Sequence, residues 1–272
     1  MRGLATKLGV ESPEGLAQYT LRLGDQQLSL NELIGSSLSL RFHGEIRCAH
    51  CAKVTKKSYS QGYCFNCMQT LPQCDSCIMS PEKCHLHVGT CRDPEWGKAN
   101  CEIDHIVYLA NSSGLKIGIT RHTQVPTRWL DQGAVAAVPL YRVATRRLSG
   151  LIETHAKGAV ADKTNWRAML KNEVPEIDLA QEAVGMQKRL GEYVEDLQFA
   201  FGPQAIVPLV PSVWRTSYPV TEYPTKVVSL NLEKLGVVEG KLMGIKGQYL
   251  IFDTGVINLR KYTGYDIECK VN

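Results

Sequence analysis

The chain has 272 residues, of which 44% are hydrophobic and 21% are charged, a composition typical of a soluble globular protein with more than one domain. No window approaches the roughly 18 to 20 apolar residues that a membrane-spanning helix needs, and the N-terminus lacks the apolar stretch of a signal peptide. We therefore expect a cytoplasmic protein without a membrane partner.

The order of the predicted elements indicates an α+β, multi-domain protein. Alternating apolar and polar residues predict an N-terminal β segment over residues 1–47. The same alternation, punctuated by glycines, predicts a small C-terminal β domain over residues 203–272, a barrel or sandwich that the N-terminal strands can complete. Between them we predict a two-zinc cysteine-rich region (residues 48–104), a small α/β core (105–172) and a long amphipathic helix (173–202).

Within the core, the pattern predicts two strands around an Asn-Ser-Ser-Gly turn, then a helix that begins near Pro126 and ends at Gly133, then a third strand. We predict that Ser149 caps the next helix and that Thr164 caps a short one after it. Apolar residues at spacings of three and four predict the long helix from Asp178 to Phe201.

Ten cysteines in a chain expected in the reducing cytosol indicate metal ligands rather than disulfides. Nine of them lie between Cys48 and Cys101. Two Cys-x-x-Cys pairs separated by twelve residues can close a tetrahedral site of the zinc-ribbon or treble-clef type, which holds shape and does not catalyse. The predicted ligands of this first zinc ion are Cys48, Cys51, Cys64 and Cys67.

A second zinc site is predicted from the next cysteine pair. Cys74 and Cys77 supply two ligands, and the other two come from five candidates, namely Cys84, His85, His87, Cys91 and Cys101. We favour Cys84 and Cys91, with His87 as the leading substitute.

The net charge of +4 is unevenly distributed along the chain. Residues 105–170 hold nine Lys and Arg against three Asp and Glu, whereas residues 171–202 hold three against seven. A basic block of this kind favours a polyanionic partner such as DNA or RNA. The candidate phosphate contacts are Arg121, Arg142, Arg146 and Arg147.

Residues 106–165 resemble the core of the GIY-YIG nucleases. The first motif of that family corresponds to Val107-Tyr108-Leu109, and the second corresponds to Lys116-Ile117-Gly118, as in the branch whose second motif reads Lys-Ile-Gly-Ile-Thr. Arg128, Glu153 and Asn165 then follow in the family's order. The whole chain is also similar to an uncharacterised bacterial family that joins cysteine zinc motifs to such a core.

The resemblance implies a divalent-metal-dependent endonuclease site. Glu153 would hold Mg²⁺ or Mn²⁺, and Arg128 would stabilise charge on the phosphoryl group. Tyr108 would orient the attacking water, and Asn165 would fix the neighbouring geometry. Lys116 replaces the tyrosine of the second motif and could bind phosphate or act as a base.

Two functions therefore remain open from the sequence. The first is phosphodiester hydrolysis in a nucleic acid by a zinc-containing enzyme. The second is a non-catalytic zinc protein with a degenerate nuclease core that binds RNA, DNA, the ribosome or another protein. The substitution at Lys116 favours binding, whereas the retained Glu153 favours hydrolysis.

Overall fold

The computed structural model describes residues 1–158, 160 and 163–271. Its N-terminal segment consists of short strands, and the alternating burial along β3 and β5 follows the sequence alternation. Its strands are β1 (Arg2–Leu4), β2 (Gly9–Glu11), β3 (Gln18–Leu23), β4 (Gln26–Ser29) and β5 (Ser37–Ile46).

The cysteine-rich region is built mainly from turns and single-turn 3₁₀ helices. It contains two short α-helices, α1 (Phe65–Thr70) and α2 (Pro94–Cys101). Asp93 caps α2, since its carboxylate accepts a hydrogen bond from the Trp96 amide at 3.0 Å. Large apolar side chains in this region, such as Phe65 and Met79, are exposed, so apolar burial contributes little to its stability.

The central core contains the predicted strands and helices. These elements are β6 (His105–Asn111), β7 (Leu115–Arg121), α3 (Thr127–Asp131), β8 (Ala136–Val143), α4 (Arg146–Ala156) and α5 (Trp166–Leu170). It is followed by α6 (Leu179–Phe201), which matches the predicted long helix: Asp178 caps its start, and it ends at Gly202.

Two of the predicted helix caps are wrong, Ser149 by four residues and Thr164 by one residue. Thr145 caps α4, accepting a hydrogen bond from the Leu148 amide at 3.2 Å, whereas Ser149 is buried inside that helix. Asn165 caps α5, accepting from the Ala168 amide at 3.2 Å. The physical reason is that a cap needs extended backbone at its own position, which both Thr145 and Asn165 adopt.

Residues 203–271 contribute strands to two different sheets. Their elements are β9 (Ile206–Pro208), β10 (Trp214–Arg215), α7 (Leu232–Leu235), β11 (Val237–Lys246), β12 (Tyr249–Phe252), β13 (Gly255–Asn258) and β14 (Tyr265–Val271). The first two strands pair with β8, so the central sheet has the order β10-β8-β6-β7 with β9 also against β8.

Strands from both ends of the chain form one antiparallel sheet, as the sequence analysis allowed. Its order is β1-β14-β5-β11-β12-β13, and its side chains pack in one apolar core with those of the smaller β2-β3-β4 sheet. The N-terminal strands therefore complete the C-terminal β domain.

The two faces of the central sheet pack against different helices. One face is covered by α4 and α6, with Leu109 and Val138 of the sheet in that apolar cluster. The other face carries Tyr108 and Ala110, against which Trp129 of α3 packs. None of the described helices is long and apolar enough to cross a membrane.

The cysteine-rich region packs directly onto α4 at Gly150. A Cβ atom at this position would lie 2.5 Å from the backbone carbon of Pro81 and would also strike the Glu82 amide nitrogen. We expect Gly150→Ala to destabilise the protein by about 3 kcal/mol, because backbone cannot move aside as a side chain can. Thermal or denaturant unfolding measures this change.

Gly191→Ala in α6 is the matched control. A Cβ atom at Gly191 meets no heavy atom within 4 Å, so this substitution should stabilise the helix by about 0.5–1 kcal/mol. Equal effects of the two substitutions would show that the contact between Gly150 and the Pro81 turn is unimportant for stability.

Candidate metal centre and nuclease-like site

The first two Cys-x-x-Cys pairs form one group, as their spacing predicts. The four sulfur atoms lie within 4.8 Å of one another, and the Sγ atoms of Cys51 and Cys64 are 3.8 Å apart. A tetrahedral zinc ion with Zn–S bonds of about 2.3 Å separates its ligand sulfurs by about 3.8 Å. Because Cys48 follows β5 and Cys67 lies in α1, a bound ion would join these two elements. The group fits zinc with all four positions taken by protein.

Backbone amides favour ionisation of one member of this group. Burial opposes the ionisation of Cys48, but the amides of Cys51, Cys64 and His50 are directed at its sulfur and lower its pKa to about 6. Burial and the neighbouring thiols instead raise the pKa of Cys67. One thiolate therefore forms near neutral pH, and a cation would stabilise the others, as metal-binding thiols require.

Three cysteines of the second set form a buried cluster. It consists of Cys77, Cys84 and Cys101, with Leu86 and Trp96 packed against it. Cys74 ends the single-turn helix Pro72–Cys74, and Cys77 lies in the next one, Ser76–Ile78. Cys74 is outside this cluster, and its role as a ligand beside Cys77 stays a prediction.

His85, an alternative ligand in the sequence analysis, lies near Asp75 and Cys77, with one donor atom of each within 4.8 Å of the others. However, Asp75 forms an ion pair with Arg92 at 2.7 Å, and His85 Nδ1 faces the Thr90 hydroxyl at 2.8 Å. These contacts give Asp75 and His85 each a polar partner, so neither side chain needs a metal ion to be satisfied.

Tyr108 is at the centre of the predicted catalytic residues. It lies in β6 opposite Gly118 of β7, and its side chain is fully buried. A Cβ atom on Gly118 would come within 2.8 Å of the tyrosine hydroxyl oxygen, so glycine is needed to leave room for the ring. The hydroxyl donates to Gln132 Oε1 at 3.0 Å, and Trp129 contacts the ring edge-on.

Two other predicted residues act on the Tyr108 hydroxyl. Burial is the main cause that raises the pKa of Tyr108. The nearby Arg128 guanidinium lowers this pKa, whereas the Glu153 carboxylate raises it further. The charges of Arg128 on α3 and Glu153 on α4 are therefore close enough to Tyr108 of β6 to influence its ionisation.

Lys116 is buried beside Tyr108 and binds the same glutamine. Its Nζ donates to Gln132 Oε1 at 2.7 Å and to Thr164 Oγ1 at 2.8 Å. Thr164 also exchanges a hydrogen bond with Ser112 at 3.0 Å. The lysine that replaces the family's second tyrosine therefore lies in a network of polar side chains and is 3% exposed.

The β domain holds α3, the helix that carries Arg128. Asp131 accepts hydrogen bonds from Lys7 at 2.7 Å and from Gln248 at 2.8 Å. Gly247 has φ of 62°, and a Cβ atom there would lie 3.1 Å from the Asp131 carbonyl oxygen. This close approach places the turn between β11 and β12 against the end of α3.

Glu153 lies on α4, and its side chain is 13% exposed. Its Oε2 is 3.9 Å from Lys157 Nζ, one helical turn later. The two residues have the i,i+4 spacing at which side chains of one helix interact. The carboxylate is therefore mostly shielded from solvent near a tyrosine and an arginine, an environment that would suit a hard cation.

Asn165 is exposed, and its side-chain oxygen serves as the cap of α5. Its backbone amide donates to Ser113 Oγ at 3.0 Å. Together with Thr164, it ties the start of α5 to the turn between β6 and β7. This contact is consistent with a supporting role, while a direct catalytic role for Asn165 remains a prediction.

Two of the four arginines predicted to contact phosphate, Arg121 and Arg142, lie beside the first residues of β6, where Arg121 pairs with His105 and Arg142 pairs with Ile106. Arg121 hydrogen-bonds the side chain of Asn100. Arg142 is exposed and forms an ion pair with Asp104 at 3.0 Å. Exposed ion pairs of this kind are weak.

The other two arginines have different surroundings. Arg146 Nη2 donates to the Ile78 carbonyl at 2.7 Å, and its Nε is buried, so a phosphate contact by this arginine stays a prediction. Burial lowers the pKa of Arg146, which the nearby thiols of the second cysteine cluster partly offset. Arg147 lies over the Phe201 ring, with its guanidinium carbon 5.8 Å from the ring centre.

Sequence reasoning missed Gln132 and Thr164 as members of the site. Gln132 lies four residues after Arg128, immediately past the end of the same helix. Thr164 directly precedes Asn165 and was interpreted only as a helix cap. Their proximity to predicted residues was the available signal, but amide and hydroxyl side chains are too common for that signal to be specific.

The sequence matches, over residues 35–267, the family described as "Protein of unknown function (DUF2797)". Searches among curated proteins and among solved structures found no match. The matched range contains both cysteine groups and every residue of the nuclease-like site. It also contains α6 and most of the β domain, so the match covers most of the chain. The chain therefore belongs to the DUF2797 family.

Proposed function

We propose that this is a zinc-containing nucleic-acid-processing protein that hydrolyses phosphodiester bonds with a divalent cation, in the manner of an endonuclease. The observation that supports the proposal is the environment of Tyr108. Its hydroxyl binds Gln132 at 3.0 Å, and its pKa responds to both Arg128 and Glu153. These are the residue types that the GIY-YIG resemblance assigns to catalysis.

Glu153 is the residue that would hold Mg²⁺ or Mn²⁺. One or two carboxylates are sufficient for magnesium, since water and phosphate supply its other ligands. A bound cation would offset charge on the phosphoryl oxygens and favour ionisation of water. Arg128 would donate hydrogen bonds to the same oxygens, because its planar guanidinium carries several donors.

The remaining side chains position these groups. Burial raises the pKa of Tyr108, so its hydroxyl stays protonated and donates its single proton to Gln132 Oε1, which leaves the hydroxyl oxygen to accept a hydrogen bond from water. Lys116 and Tyr108 both donate to Gln132 Oε1, and this shared acceptor fixes the orientation of the tyrosine. Lys116 is therefore proposed as a positioning residue and not as a phosphate contact.

Two zinc ions would have a structural role in this protein. The first would bind to Cys48, Cys51, Cys64 and Cys67, whose geometry fits a closed tetrahedral site. The exposed Arg142 and the half-buried Arg121 would contact the backbone of DNA or RNA. Phosphate contacts of this kind position a strand without reading its sequence.

One observation favours a non-catalytic alternative. Tyr108 is fully buried, and a tyrosine that orients attacking water needs access to it. If the hydroxyl serves only to bind Gln132, the core would bind nucleic acid, the ribosome or a protein without cutting it. The replacement of the second motif's tyrosine by Lys116 favours the same alternative.

Cleavage assays with the zinc-loaded protein separate the two functions. Labelled single- and double-stranded DNA and RNA are incubated with Mg²⁺, with Mn²⁺, and with neither. We expect products only when a divalent cation is added. Binding that weakens as salt rises, without products under any condition, would instead establish the alternative. If the protein neither binds nor cleaves any of these nucleic acids, both the nuclease function and the nucleic-acid-binding alternative are contradicted.

A further inference from the structure

The buried cluster of Cys77, Cys84 and Cys101 collects thiols from three separate segments of the cysteine-rich region. Cys77 lies in the turn Ser76–Ile78, Cys84 directly follows the turn Pro81–Lys83, and Cys101 is the last residue of α2. All three are less than 9% exposed. Three buried thiols from separate segments of a region with few buried apolar side chains are candidate metal ligands.

Cys91 is the thiol best placed to complete this cluster. A Cβ atom on Gly97 of α2 would lie 3.2 Å from Cys91 Sγ and 2.8 Å from a methyl group of Leu86. Leu86 itself packs on the cluster, and Gly97 precedes Cys101 by about one turn of helix. Cys91 therefore lies along the same side of α2 as the buried thiols.

Arg146 is an independent indication of negative charge at the cluster. This arginine opens α4, and its Nη2 donates to the carbonyl of Ile78, the residue after Cys77. Its Nε is buried, and among the described residues that atom has no hydrogen-bond partner. Burying a cation is costly unless a counter-charge lies nearby. Four thiolates around Zn²⁺ would leave a formal charge of roughly −2 at this point.

We propose that Cys77, Cys84, Cys91 and Cys101 bind the second zinc ion and that Arg146 offsets the charge of this site. The assignment replaces Cys74 by Cys101 in the ligand set. It rests on the proposed second zinc ion but is independent of the proposed hydrolysis. A bound ion would fasten the start of α4 to the cysteine-rich region, two helical turns before Glu153.

Thiol protection in the zinc-loaded full chain tests the ligand set. Cys74 and Cys91 are both partly exposed, so they form a matched pair. With iodoacetamide and mass spectrometry, we expect Cys91 to react at least tenfold more slowly than Cys74. After a chelator removes zinc, Cys91 should react as fast as Cys74. Protection of Cys74 instead of Cys91, or no change at Cys91 on chelation, would overturn the assignment.

Metal counts on variants provide the second measurement. Cys101→Ser should retain about one zinc ion per chain, whereas Cys74→Ser should retain about two. If Cys101→Ser does not fold, the protection of Cys91 relative to Cys74 in the wild-type chain still tests the ligand set. A full complement of zinc in folded Cys101→Ser would overturn the proposal.

The role of Arg146 has its own control in the next residue. Arg146→Met should release zinc to a coloured chelator several-fold faster than the wild type, because the thiolates lose their counter-charge. Arg147→Met removes the neighbouring charge, which lies over Phe201, and should release zinc at the wild-type rate. Equal rates of zinc release in the two variants would show that Arg146 does not stabilise the second zinc site. None of these readouts depends on nuclease activity.

Discussion

Replacement of Glu153 by glutamine is expected to reduce phosphodiester cleavage by about a thousandfold. Glutamine keeps the shape of the side chain but removes the charge that would hold the divalent cation. Loss of the i,i+4 pair with Lys157, at 3.9 Å, should cost only about 0.3–0.5 kcal/mol of stability. The measurement is the initial rate of product formation at saturating Mg²⁺.

Glu195→Gln provides the control, because this glutamate is exposed on α6 and should leave cleavage unchanged. Zinc content and the melting temperature of Glu153→Gln should equal those of the wild type, and nucleic-acid binding should persist. If Glu153→Gln cleaves as fast as Glu195→Gln, Glu153 has no catalytic role and the activity comes from another site or from a contaminant.

Loss of the first zinc ion is expected to unfold the segment from Cys48 to Cys67. Structural zinc contributes on the order of 10 kcal/mol to the folding of small metal-binding units, and Phe65 of this segment is exposed rather than buried. Cys64→Ser should therefore lose the first ion and become sensitive to proteolysis within this segment. Zinc counts and mapping of the protease cleavage sites measure both effects.

Cys269→Ser controls for the general effect of replacing a buried cysteine. Cys269 lies in β14, inside the apolar core of the β domain. We expect this variant to keep its zinc and to lose about 1–3 kcal/mol of stability from the buried hydroxyl. Retention of the full zinc complement in Cys64→Ser would show that the first cysteine group does not bind zinc.

Loss of zinc should also affect the nuclease-like site, although no ligand belongs to that site. The turn at Pro81 packs against Gly150 of α4, and Arg146 on the same helix binds the Ile78 carbonyl. Since α4 carries Glu153, disorder in the cysteine-rich region would release the carboxylate from its position. The cysteine region and the core therefore act as one folded unit around α4.

Local features of the fold were readable from the sequence alone. The spacing of Cys48, Cys51, Cys64 and Cys67 predicted a group that the structure confirms, because two short loops and one hairpin suffice to bring these thiols together. The helix from Leu179 to Phe201 was equally legible. Its cap and its apolar spacing depend only on residues within a few turns of one another.

Only the tertiary structure decided which distant residues meet. The pairing of β5 with β14 and β11, the hydrogen bond of Arg146 to the Ile78 carbonyl and the cluster of Cys77, Cys84 and Cys101 all depend on contacts between residues far apart in sequence. The network of Lys116, Gln132 and Thr164 does so as well. A local pattern shows which face of a strand or helix is apolar, but the identity of the partner depends on how all the elements pack together.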